Sequence, residues 1–242
     1  MDTEIVAELA PTGTLRVGLN MANGLLITGR TADGEPDGVA PDMARTLAEK
    51  LGVGVTLIQF ATPGEVADAA EGNIWDIGLI GAEPVRAEKI DFTAAYVEIE
   101  ATYLVPAGST LTRIEDVDRE GIRIAVSGRS AYDLYLSRNL KHAELIQAAG
   151  VAGATEMFIS EKMDALAGLR PALVVEAARL PGSRILDGQF TSVQQAMGMP
   201  KGRSTGFRYL CSFVEDSKAN GLVAGLIDRH GVTGRLSVAR LA

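Results

Sequence analysis

The sequence predicts an α/β fold made of parallel βαβ units, and three observations carry that expectation. Strand-like and helix-like segments alternate from Thr14 onward. The apolar run Ile77–Ile80 is too short for a helix and ends at Gly81, so it reads as a buried strand. That strand runs directly into a polar loop carrying Glu83 and Arg86, and open α/β sheets bind ligands in loops at the carboxyl ends of their strands.

The elements follow in order. Thr14–Asn20 alternates apolar and polar residues and reads as the first strand, with Asn20, Asn23 and Gly24 at its end. Residues 32–38 are dense in turn formers. A helix follows, with Pro41 near its start, Asp42 in its first turn, Met43, Ala44, Leu47, Ala48 and Leu51 on one face, and Gly52 as its cap. Val53–Ile58 is the next strand, and Pro63–Glu71 a weak helix leading to Trp75 and Asp76. A strand over Glu98–Val105, a strand over Gly121–Val126 and a helix capped by Ser130 come next. Leu145–Ala148 reads as a strand, Glu156–Lys162 as a helix capped by Thr155, and Ile185–Leu186 as a short strand. The helix Arg203–Lys218 places Phe207, Leu210, Cys211 and Val214 on one face, and the tail from Gly231 gives no signal.

Composition narrows the function. With 242 residues and 47% hydrophobic content, the chain can bury one large core or two small ones. A net charge of −8 argues against nucleic acid and anionic membrane surfaces as partners. No apolar run approaches the ~18 residues that would mark a membrane span, so no membrane insertion is expected. The single Cys211 excludes an internal disulfide and a cysteine metal cluster. His142 and His230 alone give histidine ligation little to work with, so no metal or cofactor is expected.

Four stretches together carry a family resemblance. They are Gly38-Val39-Ala40-Pro41-Asp42-Met43-Ala44, Asp76 through Arg86 to Asp91-Phe92-Thr93 and Tyr96, Ser127-Gly128-Arg129-Ser130, and Met163-Asp164-Ala165 through Leu169 to Leu173. In this order they resemble the bacterial extracellular solute-binding proteins of the polar amino acid type, the type II periplasmic binding proteins. The resemblance covers Leu15 to about Gly221. It implies two α/β lobes, each a mostly parallel sheet flanked by helices, joined by two crossing strands. Lobe one would comprise residues 1–104 and 196–242, and lobe two residues 105–195. It further implies capture of a small polar or carboxylate-bearing solute in a cleft between lobes that open and close, delivery to an ABC permease, and a periplasmic location. Met1-Asp2-Thr3-Glu4 lacks the basic and apolar regions of a secretory signal, so a cytoplasmic location stays open at this point.

The resemblance also assigns ligand-binding residues. Arg86 would grip a carboxylate through two parallel hydrogen bonds, a geometry lysine does not reproduce. Its alternative role is an ion pair with Glu83 or Glu88. The helix start at Arg129 and Ser130 would donate amides to a ligand anion. Tyr132 is either a cleft wall or a packing residue, while Asn20 and Asn23 read as turn residues first and ligand donors second. The family's ammonium-binding aspartate falls on Leu169, and the loop from Asp76 to Arg86 is about two residues short. An amino acid in the usual pose would leave its ammonium buried and unpaired, at large cost. The ligand is therefore either an anion held by Arg86 and the amides near Ser130, or a polar amine or neutral solute recognised by Glu83. Cyclohexadienyl-dehydratase-like lyases share the scaffold, with Glu83 as the nominated acid here. A neighbouring guanidinium favours the carboxylate form, the opposite of what a general acid requires. A sensing module in signalling is the third reading.

Overall fold

The computed structural model of the chain describes residues 2–242. The chain divides into two compact units, residues 1–98 with 194–242, and residues 99–193. In chain order, unit 1 opens with α1 (Thr3–Leu9), β1 (Thr14–Asn20), β2 (Gly29–Arg30), β3 (Pro36–Asp37), α2 (Val39–Leu51), β4 (Gly54–Phe60), α3 (Pro63–Asp68) and β5 (Ile77–Gly81). β6 (Ile90–Val105) starts in unit 1 and ends in unit 2. Unit 2 continues with β7 (Arg123–Ser127), α4 (Ala131–Asn139), β8 (Glu144–Ala148), α5 (Gly150–Ser160), β9 (Ala165–Leu169), α6 (Arg170–Arg179) and β10 (Arg184–Ile185). β11 (Thr191–Pro200) passes back to unit 1, which closes with α7 (Ser204–Ala219), α8 (Leu222–Arg229) and β12 (Ser237–Val238). No helix of the described residues is long and apolar enough to cross a membrane.

In unit 1, β4, β1 and β5 run parallel, with Asn20 opposite Phe60 and Leu19 opposite Leu79. β11 lies antiparallel to β5, pairing Gly198 with Gly78. Gly198 has to be glycine, because a Cβ there would come 2.5 Å from Ile90 Cγ2. At the amino-terminal ends of β1 and β5, Asp76 is fully buried and forms a two-point ion pair with Arg16. Arg16 Nη2 lies 2.7 Å from Asp76 Oδ1, and Arg16 Nε 2.9 Å from Oδ2. Arg203, just before α7, approaches the same carboxylate at 3.3 Å. Trp75 is buried beside it and donates its indole N–H to the Val66 carbonyl at 2.9 Å.

α2 begins at Gly38, whose φ of +146° and tight approach to the Leu26 carbonyl, 2.2 Å from a would-be Cβ, leave no room for a side chain. The helix buries Met43, Ala44, Leu47, Ala48 and Leu51, the expected face, and ends at a left-handed Gly52. At its first turn, Asp42 accepts from Arg45, and His230 Nε2 lies 2.8 Å away.

In unit 2, β6 runs antiparallel to β9, with Ala101 opposite Leu169, while β9, β7 and β8 are parallel. One core cluster joins Tyr103, Val126, Tyr132 and Leu186. A second joins Leu104, Phe158, Met163 and Leu173. Asp116 accepts from the backbone and hydroxyl of Thr112 and the backbone of Arg113, and pairs with Arg119. Those donors hold its carboxyl down at about 2.

Several sequence expectations need correction. The helix expected from Thr155 begins at Gly150, packs on β7, and has Thr155 inside it. Glu98–Val105 is the second half of one 16-residue strand. The buried face of α7 is Gly206, Leu210, Phe213 and Val214, with Phe207 and Cys211 only half-buried. Gly206 turns that face toward α1, where a Cβ would meet Glu8 Cβ at 3.0 Å. The tail, on which the sequence makes no prediction, carries β12, which pairs with Val97 and Glu98, and Lys218, its side chain 1% exposed, donates to the Arg240 carbonyl at 2.8 Å.

Two outcomes follow from the buried carboxylates. Asp76→Ala strands Arg16 beside an apolar strand, and chemical denaturation should show a loss of about 3 kcal/mol. The carboxyl of Asp116 is depressed when folded, so its stabilisation is present above pH 4 and is lost as pH falls through about 2. Unfolding midpoints of the native protein and Asp116→Asn should therefore differ at pH 6 and converge toward pH 2.

Candidate functional site

Each unit presents the carboxyl ends of its parallel strands, and the residues singled out from the sequence sit at those ends. In unit 1 the chain leaves β1 through a tight turn. Asn20 Oδ1 accepts from Ala22 N at 3.1 Å, and Asn23 Oδ1 from Leu25 N at 3.2 Å. The Asn23 carbonyl also accepts from Leu26 N and Ile27 N. These bonds, with Leu25, Leu26 and Ile27 buried beneath, shape the loop.

Beyond β5, residues 82–89 form the loop that carries Glu83 and Arg86. It is anchored to β11 by Ala82 N, which donates to the Gln194 carbonyl at 2.7 Å. A short turn follows, with Ala87 N donating to the Glu83 carbonyl at 2.9 Å and a 3-10 helix over Arg86–Glu88. Arg86 is only 5% exposed. Its Nη1 donates to the Gly81 carbonyl at 2.7 Å, so the guanidinium folds back over the end of the strand. Glu83 is half-buried in the same loop.

In unit 2 the turn after β7 is built around Asp133. Ser130 caps α4, its Oγ accepting from Asp133 N at 3.1 Å. The Asp133 carboxylate reaches back to Arg129 N at 2.7 Å and to Gln147 Nε2 at 2.9 Å. This holds Arg129 in the left-handed region at φ +60°, with its side chain exposed. Asp133 was not among the residues singled out, although Ser130-Ala-Tyr-Asp133 has the spacing of a capping box. Tyr132 is buried in the unit 2 core and its phenol hydrogen-bonds the hydroxyls of Ser130 and Ser127. Burial raises the phenol above its ordinary value.

Leu169 ends β9 and precedes α6, with its side chain half-buried against the unit 2 core. Extending the register of β9 and β7 brings Gly128 level with Leu169. Ala101 of β6 stands opposite Leu169 on the other side. Arg170 and Glu100, one step farther out, form an ion pair with Nε 2.5 Å from Oε2. Sequence reading missed this pair, whose members lie far apart in the chain. The edge of unit 2 therefore gathers Arg129, Ser130, Leu169, Arg170 and Glu100.

Asp37, Asp42 and His230 bring three metal-type donor atoms within 4.8 Å of one another. Arg45 and Arg229 already neutralise those carboxylates, with Arg45 Nη1 3.0 Å and Arg229 Nη1 3.4 Å from Asp42 oxygens. The group therefore works as a clasp between α2 and α8.

The sequence profile of the bacterial extracellular solute-binding proteins, family 3, matches residues 16–233. No curated protein sequence matches the chain. Among solved structures, the fold is similar to that of the ancestral amino acid-binding protein AncCDT-1, a precursor of cyclohexadienyl dehydratase. That match has 21% identity over 93% of this chain and 97% of the other, with a TM-score of 0.75. It is also similar to a mutant of ArgBP from T. maritima, at 19% identity over 94% and 99% of the two chains and a TM-score of 0.75. The amino acid ABC transporter substrate-binding protein AbpA from Streptococcus pneumoniae, bound to L-arginine, matches at 18% identity over 92% and 96%, with a TM-score of 0.74. At these identities the likeness is one of fold, the two-lobed type II arrangement of α/β units.

Loss of the Ser130 hydroxyl leaves the Asp133 amide of α4 uncapped. Thermal unfolding should report about 1 kcal/mol lost in Ser130→Ala and only a few tenths in Ser130→Gly.

Proposed function

Because the chain belongs to the bacterial extracellular solute-binding proteins, family 3, we propose that it captures a small carboxylate-bearing solute lacking an ammonium group and passes it to an ABC importer. Its place of work is the periplasm. The observation that carries the reading is Arg86. This buried guanidinium at the carboxyl end of β5 is held by the Gly81 carbonyl, and its fork suits a carboxylate. At the other edge, the exposed Arg129 and the start of α4 favour an anion as well.

Leu169 stands where the family resemblance places an ammonium-binding aspartate. It supplies no carboxylate at the end of β9, and the acid one register step away, Glu100, is engaged by Arg170. An ammonium brought to this edge would lose water and meet only an acid already neutralised by Arg170. We read the chain as a binder rather than a catalyst. A dehydratase would require a positioned general acid, and Glu83, the nominated one, shares its loop with the Arg86 guanidinium. Turnover of prephenate or arogenate is the direct assay of the catalytic alternative.

Calorimetry with matched pairs tests the reading: acetate and glycine, propionate and L-alanine, succinate and L-aspartate, glutarate and L-glutamate. At least one carboxylate should bind more than about tenfold tighter than its amino partner, a difference of about 1.4 kcal/mol. Arg86→Lys keeps the charge but loses the fork, and should weaken binding by about tenfold or more. Micromolar binding of an L-amino acid that collapses in Arg86→Ala would overturn the proposal.

A further inference from the structure

We infer that Arg170 sets the charge preference of the unit 2 edge by keeping Glu100 in an ion pair, so that an ammonium group finds only an already neutralised acid there. The inference rests on the reading above that this edge faces the solute. The β6–β9 register puts Ala101 opposite Leu169, which makes Glu100 and Arg170 neighbours one step beyond the last ladder pair. Arg170 Nε lies 2.5 Å from Glu100 Oε2, and its Nη2 donates to the Gly188 carbonyl. Held at two points, the guanidinium stays over the carboxylate.

The burial of the two partners matters. The Glu100 side chain is 56% exposed and that of Arg170 29%, so Glu100 is already within reach of solvent and solute, and removing the guanidinium leaves its charge without a counter-charge. An ion pair this open adds little to folding stability. Its effect falls on recognition: a site discriminates by withholding the partner that the wrong ligand needs. Asp133, the other acid at this turn, is buried, and its oxygens are taken by Arg129 N, Gln147 and Ser137. Glu100 is therefore the acid that one substitution can release.

The test is calorimetry on the full chain at pH 7 with glycine, L-alanine, L-aspartate and L-glutamate against acetate, propionate, succinate and glutarate. Arg170→Met should move the affinity ratio toward the amino members by about fivefold. Arg170→Lys, which keeps the positive charge, should stay near the native ratio. The double variant Arg170→Met with Glu100→Gln should return to it, an outcome that simple loss of packing would not produce. An unmoved ratio in Arg170→Met, or an equal shift in the double variant, overturns the inference. Should no carboxylate bind the native protein, the Arg86 reading fails. Amino acid binding gained in Arg170→Met would still support the role of Arg170, and its absence would overturn it.

Discussion

The buried ion pair of Arg16 and Asp76 is the interaction on which unit 1 depends. Asp76 has no exposed surface, yet both of its oxygens are satisfied by Arg16, which also donates its backbone N–H at 3.1 Å. Asp76 N in turn donates to the Arg16 carbonyl at 2.8 Å. These contacts lock the register in which Val17 faces Ile77. A slip of one residue would turn every side chain of β5 to the wrong face and displace the Arg86 loop at its far end. Arg203 brings a third segment to the same carboxylate and also donates to the Glu8 carbonyl, so α1 and α7 are placed from the same point.

The opposite edges of the strands are built differently. There, most polar groups are spent on the chain itself. Asn20 and Asn23 close turns, Ser130 caps a helix, and Tyr132 bonds to two neighbouring hydroxyls. The long side chains there are cationic: Arg86, which donates to the Gly81 carbonyl, in one unit, and Arg129 and the ion-paired Arg170 in the other. The carboxylates near them are either half-buried in the same loop, as Glu83 is, or ion-paired, as Glu100 is. This division of labour is in keeping with the proposed capture of a carboxylate. Rigid turns, held by short side chains, present a few long guanidinium groups.

Much of this was legible in the sequence where the signal is local. β1 reads directly from its alternation over Thr14–Asn20, and α2 from its apolar stripe and Gly52. The Ser130 cap was found, and the Asp133 beside it could have been, from the same four residues. Other features were hidden because distant parts of the chain decide them. α5 starts at Gly150, where the small residues of 148–154 look like loop, and its packing on β7 is made by residues distant in the chain. The inward face of α7 is set by contact with α1 at Gly206, which no helical periodicity reveals. The pairing of Arg170 with Glu100 depends on strand register between segments about 70 residues apart. Leu169 was picked out only through a family pattern, and its half-buried packing became visible only in the structure.

β12 has a consequence for how the chain is made. Val238 pairs with Val97, and Ala239 N donates to the Tyr96 carbonyl, contacts that span well over one hundred residues. Unit 2 is one uninterrupted stretch, whereas unit 1 needs β11 and β12 to finish its sheet. On the ribosome, residues 99–193 can therefore collapse while Tyr96 and Val97 still wait for their partners. The latest-synthesised strand closes the earliest-begun sheet, and long-range closure of this kind is slow. During that interval the unpaired side of β6 is the part of the nascent chain most open to mispairing, and chaperone protection would matter most there.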